Sequence, residues 1–146
     1  MIFSAQQIFS DGQALTATAA STNIIDLGAT GTVYGAPAAL TKDIGKGNPI
    51  EISITLDVDS GGTSPTLDVD VQVDTVENFA SPTTVASSVQ LAGGSAGDVI
   101  KLRFIPEDTN QRYLRLNYTL GGTSPTYTVT SGVVLGRQTN TTVPGA

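Results

Sequence analysis

Strict alternation of apolar and polar residues is the feature that most limits the folds open to this sequence. The clearest run is residues 50–58, where Ile, Leu or Val occupies every even position and a polar residue every odd one. The same pattern covers residues 67–74, 100–104 and 114–120. Because a period of two places successive side chains on opposite faces of a strand, each run predicts a β-strand with one buried face.

Further strand signals recur along the chain, separated by stretches rich in Gly, Pro, Asn and Asp. The predicted strands are residues 2–9, 13–18, 22–27, 50–58, 66–74, 83–91, 98–104, 112–120 and 126–135. Short, regularly spaced strands with turn residues between them indicate an all-β sandwich or barrel. The composition shows no break, so we expect one domain over residues 1–146. It carries a long irregular loop at about 28–48 and a C-terminal arm at 136–146.

The hexapeptide GGTSPT occurs twice, at residues 61–66 and 121–126. Alternating runs flank both copies, and the inward positions on either side are equivalent in the two copies. Glycine permits a positive φ, and proline can begin a strand without donating to its ladder. We therefore predict one turn solution that is used twice to join strands. A shared ligand loop, or an anion nest built from the glycine amides, is the alternative.

The amino-acid composition excludes most catalytic chemistry. The chain contains no His and no Cys, so it cannot form a Ser–His–Asp or Cys–His arrangement, nor a thiolate or imidazole metal site. Paired carboxylates for glycoside hydrolysis remain formally open. Most of the Asp residues, however, fall on predicted exposed faces, where nothing favours the protonated acid that this reaction needs. We expect no enzyme activity, no catalytic residues, no cofactor and no metal.

The charge of the chain bears on its partners. The formal net charge is −6, which argues against binding to nucleic-acid phosphates. Charged residues make up 14% of the chain, against about 25% in soluble domains. The surface must therefore owe its polarity mainly to Thr, Ser, Asn and Gln, and a partner can cover such a surface at a low desolvation cost. No segment approaches the roughly 20 apolar residues of a membrane span.

Acidic residues around the first hexapeptide are candidates for partner binding. Asp57 and Asp68 fall on predicted outer faces, and a simple hairpin would place them opposite each other. Like charges in directly opposed positions repel, so something must screen them. Water and counter-ions, a basic patch on a partner or neighbouring subunit, and a hard cation such as Ca²⁺ are the three possibilities.

A second candidate set is basic. Lys101, Arg103 and Arg115 are predicted on the outer face of two consecutive strands, with Tyr113 between them. They would pair with acidic neighbours in the same sheet, meet the acidic surface of a protein partner, or bind single-stranded nucleic acid by stacking on the ring. The negative net charge argues against the last of these.

Several stretches together resemble a known family. They are FSDGQALTATAASTNIIDLG at residues 9–28, FASPTTVASS at 79–88 and RYLRLNYT at 112–119, with DIGKGNP at 43–49 before the first long strand. In this order they resemble the jelly-roll cement, or decoration, proteins of tailed-bacteriophage heads. The segment at residues 31–42 and the polar tail depart from the family pattern.

The resemblance implies a jelly-roll-like antiparallel β-sandwich of about eight strands and a structural role in the virion. The protein would be made in the host cytoplasm and would bind the major capsid protein across capsomer boundaries, on the outer surface of the capsid. It would be a dimer or trimer at symmetry positions and would stabilise the head, without direct contact to nucleic acid or membrane.

Two other functions remain open at this point. One is a carbohydrate-binding or adhesin-type β-sandwich module, for which Tyr34 and Tyr113 are the available surface rings. The other is a structural component of a phage tail or baseplate, which would share the fold class but bind a different partner.

Overall fold

In the computed structural model of the chain, the described residues are 5–39, 49–104 and 111–134. They form a 3₁₀ turn at Ala5–Gln7 and nine β-strands. The strands are β1 (Ile8–Leu15), β2 (Ala19–Ala20), β3 (Ile25–Asp26), β4 (Ile50–Leu56), β5 (Gly61–Asp74), β6 (Thr83–Ser87), β7 (Leu91–Ala92), β8 (Val99–Phe104) and β9 (Tyr113–Val134). All strand pairs are antiparallel. The prediction of an all-β fold is confirmed.

The strands form two sheets that share their longest strand. The C-terminal half of β9 pairs with β1 and β4, and β4 pairs with β8. The N-terminal half of β9 pairs with β2, β3 and β5, and β5 pairs with β6 and β7. We call these the first and the second sheet. Most successive strands alternate between the sheets in the order of two Greek keys, which confirms the jelly-roll-like sandwich.

The hydrophobic core lies between the two sheets and is built from the alternating runs. Its buried residues are Phe9, Leu15, Ile52, Ile54, Leu56, Leu67, Val69, Val71, Val73, Leu102, Leu114, Leu116, Tyr118, Tyr127 and Val129. The inward faces predicted for the long strands are therefore confirmed for most positions. Val58 is an exception, because β4 ends at Leu56 and leaves Val58 in the following turn with 49% of its surface exposed.

The N-terminal strands differ from the prediction. Residues 8–15 form one continuous strand, although Asp11 and Gly12 resemble a break in the sequence. Gly12 has a φ of +59°, and the pairing with β9 shifts register on both sides of Ser10. The strand absorbs these irregular residues as bulges, which insert unpaired residues into a ladder without ending it. Residues 2–4 of the predicted first strand lie outside the described residues.

The two hexapeptides are not turns, so that prediction is wrong. They lie within β5 and β9 and pair with each other through Gly61 and Thr126, Thr63 and Thr123, and Thr66 and Gly121. The equivalent residues of the two copies have nearly equal positive φ angles, so a local twofold symmetry relates the two paired hexapeptides. These angles are +101° at Gly62, +98° at Gly122, +49° at Ser64 and +50° at Ser124.

The described residues include part of the predicted long loop and none of the predicted C-terminal arm. Residues 28–39 contain no strand or helix, whereas residues 40–48 and the arm predicted at 136–146 lie outside the described residues. In the part of the chain that is described, no helix is long and apolar enough to cross a membrane.

Candidate functional site

The three predicted basic residues do not lie together. Lys101 and Arg103 lie on β8 of the first sheet, whereas Arg115 lies on the part of β9 that belongs to the second sheet. The two strands follow each other in sequence, but the jelly roll places them in opposite sheets. Lys101 Nζ lies 3.8 Å from Glu51 Oε1 and Arg103 Nε lies 3.7 Å from Glu51 Oε2. Both cations thus share one carboxylate on the neighbouring strand β4.

Arg115 is engaged inside its own sheet. Its Nε donates a 2.9 Å hydrogen bond to Gln72 Oε1, and its guanidinium lies 4.1 Å from the centre of the Phe79 ring. Burial lowers the pKa of Arg115, and the nearby carboxylate of Asp74 partly offsets that effect. These contacts give Arg115 a structural task that is independent of any partner.

The two predicted acidic residues also lie apart. Asp57 follows β4 and accepts a 2.8 Å hydrogen bond from Thr130 Oγ1. Asp68 lies on β5, opposite Thr119, and accepts a 2.8 Å hydrogen bond from Gln90 Nε2. The hairpin that would oppose them does not form, because β4 and β5 belong to different sheets. Within the described residues, no group of three or more His, Cys, Asp or Glu residues could hold a metal ion.

Asp74 has a role that the sequence pattern did not reveal. It is 5% exposed at the end of β5 and accepts hydrogen bonds from Val76 N at 3.1 Å, Ser81 N at 3.0 Å and Thr75 Oγ1 at 3.3 Å. These bonds hold the loop between β5 and β6, where Phe79 is buried with a φ of +49°. Burial alone would raise the pKa of Asp74, but the hydrogen bonds lower it below its usual value.

This lowered pKa predicts a loss of stability in acid. The carboxylate stabilises the fold fully above its unfolded-state pKa of about 4, and this contribution disappears as the pH falls through the lower pKa of the folded state. The melting temperature of Asp74→Asn should therefore be lower than that of the wild type at neutral pH. The two melting temperatures should approach each other at about pH 2. The control is Asp11→Asn, at an exposed position of β1. A difference in melting temperature between Asp74→Asn and the wild type that is the same at both pH values would contradict this account.

An uncharged exposed segment distinguishes one end of the second sheet. Residues 27–39, which we call the apolar loop, contain no charged side chain. Leu27, Val33 and Tyr34 are 49%, 53% and 104% exposed. A turn closed by a 2.9 Å hydrogen bond from Ala36 N to Val33 O places Tyr34 at its tip. Gly35 follows with a φ of +81°, as the third position of a type II turn requires.

The base of the apolar loop is fixed to the second sheet. Arg112 Nε and Nη2 donate hydrogen bonds of 2.8 and 2.7 Å to the two carboxylate oxygens of Asp26, a bidentate geometry that orients both side chains. Leu27 N donates to Arg112 O at 2.8 Å, and Gly28 N donates to Asp26 Oδ1 at 2.7 Å. The guanidinium of Arg112 also lies 4.9 Å from the centre of the Tyr113 ring.

The fold and these surfaces define the chain as a jelly-roll β-sandwich protein with an exposed apolar loop. A comparison with family models matches residues 9–134 to Bbp16, and the chain belongs to the Bbp16 family. The name hints at a phage-related family. The match runs from β1 to the end of β9 and so includes both sheets and the apolar loop. A comparison with curated proteins found no significant match.

Proposed function

We propose that this chain is a structural virion protein, a capsid cement protein that binds the major capsid protein on the outer surface of a tailed-phage head. The jelly-roll fold, the membership of a family with a phage-related name and the sequence resemblance to decoration proteins support the proposal. The charged residues first expected to bind the partner have contacts within the chain, so we assign the main contact to the apolar loop.

The apolar loop is the observation that carries the proposal. Its exposed Leu27, Val33 and Tyr34 lie in a segment without charges, and exposed apolar surface of this kind marks interaction sites. Tyrosine is common among the residues that dominate binding energy, because its ring buries a large area at a small entropic cost. An aromatic side chain can bury roughly 150–250 Å². Tyr34 is fully exposed on a turn with a fixed base and is suited to entering an apolar pocket of a partner.

A cement protein acts by mass action. A ligand that binds neighbouring capsomers better than separated ones stabilises the assembled shell. Each contact can be of ordinary size, about 800 Å² per partner. A dimer or trimer at a symmetry position presents several apolar loops at once, and effective concentration then strengthens binding by about 10²-fold or more.

A carbohydrate-binding or adhesin-type module is the second candidate, and exposed Tyr34 is the observation that favours it. Sugar rings stack on exposed aromatic rings, and this loop offers one. Tyr113 is less suited to that task because Arg112 lies against its ring. A tail or baseplate component would use the same surfaces against a different virion partner.

Addition of the purified protein to phage heads that lack their decoration tests the proposal. We expect it to bind the heads and to raise the temperature at which they release DNA. Tyr34→Ala should weaken binding by about 30-fold, the effect of losing an interface residue worth about 2 kcal/mol. Its thermal unfolding should not change, because the Tyr34 side chain is 104% exposed.

The matched control is Val89→Ala, which removes an apolar side chain that is 89% exposed between β6 and β7. It should bind as the wild type does. Absence of wild-type binding to heads, together with affinity for a glycan array that Tyr34→Ala abolishes, would favour the carbohydrate-binding module.

A further inference from the structure

The two sheets expose four edges in the described part of the chain, and only the β8 edge is regular. β1 carries register shifts, β2, β3 and β7 have two residues each, and β6 has a register shift opposite Val71 and Gln72. β8, in contrast, pairs with β4 over six consecutive positions without a shift. Proteins protect exposed edges with bulges, short strands or charges. Of these devices, β8 relies on charge.

In the described part of the chain, the positive charge on β8 is only partly balanced by neighbouring residues. Lys101 and Arg103 occupy alternate positions on the outer face, and each side chain is 53% exposed. Both share the single carboxylate of Glu51, at distances of 3.8 and 3.7 Å that exceed hydrogen-bond length. Among the described residues, one positive charge is therefore left over on this edge of a chain whose net charge is −6.

This arrangement disfavours pairing with a second copy of the chain. Antiparallel pairing of two β8 strands centred on Leu102 would place Lys101 opposite Arg103 of the second copy. Pairing centred on Lys101 would place that residue opposite itself. Like charges directly opposite each other destabilise a strand pair, whereas opposite charges stabilise it. The β8 edge therefore discriminates between partners, because it repels its own sequence and attracts an acidic one.

We propose that the outer edge of β8 binds an extended acidic segment of a partner polypeptide as an added antiparallel strand. Within the described residues, β8 pairs with β4 alone, and β6 of the second sheet lies near β8 without pairing with it. The main-chain groups on the other edge of β8 are therefore open to a new strand. In this mode the main chain supplies affinity and alternate side chains supply specificity. Carboxylates two residues apart would face Lys101 and Arg103, and the apolar residues between them would extend the inner face beside Ile100 and Leu102.

This inference does not depend on the proposed role in the virion, and a synthetic peptide tests it directly. The probe is acetyl-TVDVDVT-amide, titrated into the isotope-labelled full chain while backbone chemical shifts are recorded. We expect a dissociation constant of roughly 1 mM or tighter, with shift changes concentrated at residues 99–104. Binding should weaken at least about threefold when salt rises from about 0.05 to 0.3 M, because the pairs are exposed and screened.

Two matched probes separate strand addition from simple charge attraction. A peptide of the same sequence with N-methyl groups on alternate residues keeps its charges but cannot pair, so it should not bind. The double variant K101Q/R103Q should lose at least about tenfold in affinity for the acidic peptide, and its own backbone spectrum checks that it is folded. Lack of binding by the wild type at millimolar peptide would overturn the proposal, as would equal binding of the N-methylated peptide or equal affinity of the variant.

Discussion

Replacing Gly122 with alanine is expected to destabilise the protein by about 3–6 kcal/mol, a large fraction of the roughly 5–15 kcal/mol that stabilises an ordinary domain. A Cβ at this position would collide with Ser64 O, and it would lie 2.8 Å from Thr63 O. The φ of +98° is itself unfavourable for alanine. The colliding atoms belong to the backbone of the other hexapeptide, so relief requires the two paired copies to separate.

The local twofold symmetry makes Gly62→Ala the equivalent test, because its Cβ would lie 2.5 Å from Ser124 O and 2.7 Å from Thr123 O. Two control variants separate the cost of backbone strain from the cost of the steric collision. Gly97 has a φ of +89° but no atom within 4 Å of its would-be Cβ, so Gly97→Ala measures backbone strain alone. Gly31→Ala has neither problem and should be neutral. Urea unfolding gives the free energies. If Gly122→Ala costs no more than Gly97→Ala, the close contact between the two hexapeptides does not contribute to the loss of stability.

The sequence predicted the strands and the core well because alternation is a direct consequence of burial on one face. The runs at 52–56, 67–73 and 114–118 bury their apolar residues as expected. The hexapeptides show the limit of this argument. The sequence correctly indicated whether the even or the odd positions face inward before and after each hexapeptide. A local pattern does not reveal, however, that each copy pairs with the other copy, sixty residues away.

The candidate site was harder to predict because alternation assigns a residue to a face and not to a sheet. Arg115 was grouped with Lys101 since both face outward, but the jelly roll separates their strands. The prediction that Asp57 and Asp68 lie opposite each other was wrong for the same reason, because their strands belong to different sheets. Exposure of Tyr34 was predicted from the sequence and is confirmed. The role of Asp74 was missed because it looked like one more outward residue of an alternating run, whereas β5 ends there and its carboxylate turns to the next loop.

Tyr118→Ala is expected to cost about 4 kcal/mol or more, an effect comparable with that of Gly122→Ala. The side chain is fully buried in the second-sheet part of β9. Its hydroxyl lies 2.8 Å from Ser10 Oγ and 2.7 Å from Ser131 Oγ, which both belong to the first sheet. Truncation would leave a cavity and would remove the hydrogen bonds that cross the core between the two sheets. Chemical unfolding monitored by circular dichroism measures the loss.

Tyr118→Phe separates the hydroxyl from the ring. It should cost only about 1–2 kcal/mol at neutral pH, because the ring still fills the core while Ser131 loses a partner. Burial raises the pKa of Tyr118 more than its hydrogen bonds lower it. The raised pKa means that the wild type keeps the stabilising effect below the unfolded-state pKa of about 10 and loses it as the pH rises further. The Phe variant has no phenol to ionise at this position, so its melting temperature should approach that of the wild type above about pH 10. A difference that stays constant into alkaline pH would mean that the buried hydroxyl ionises as readily in the folded protein as in the unfolded chain.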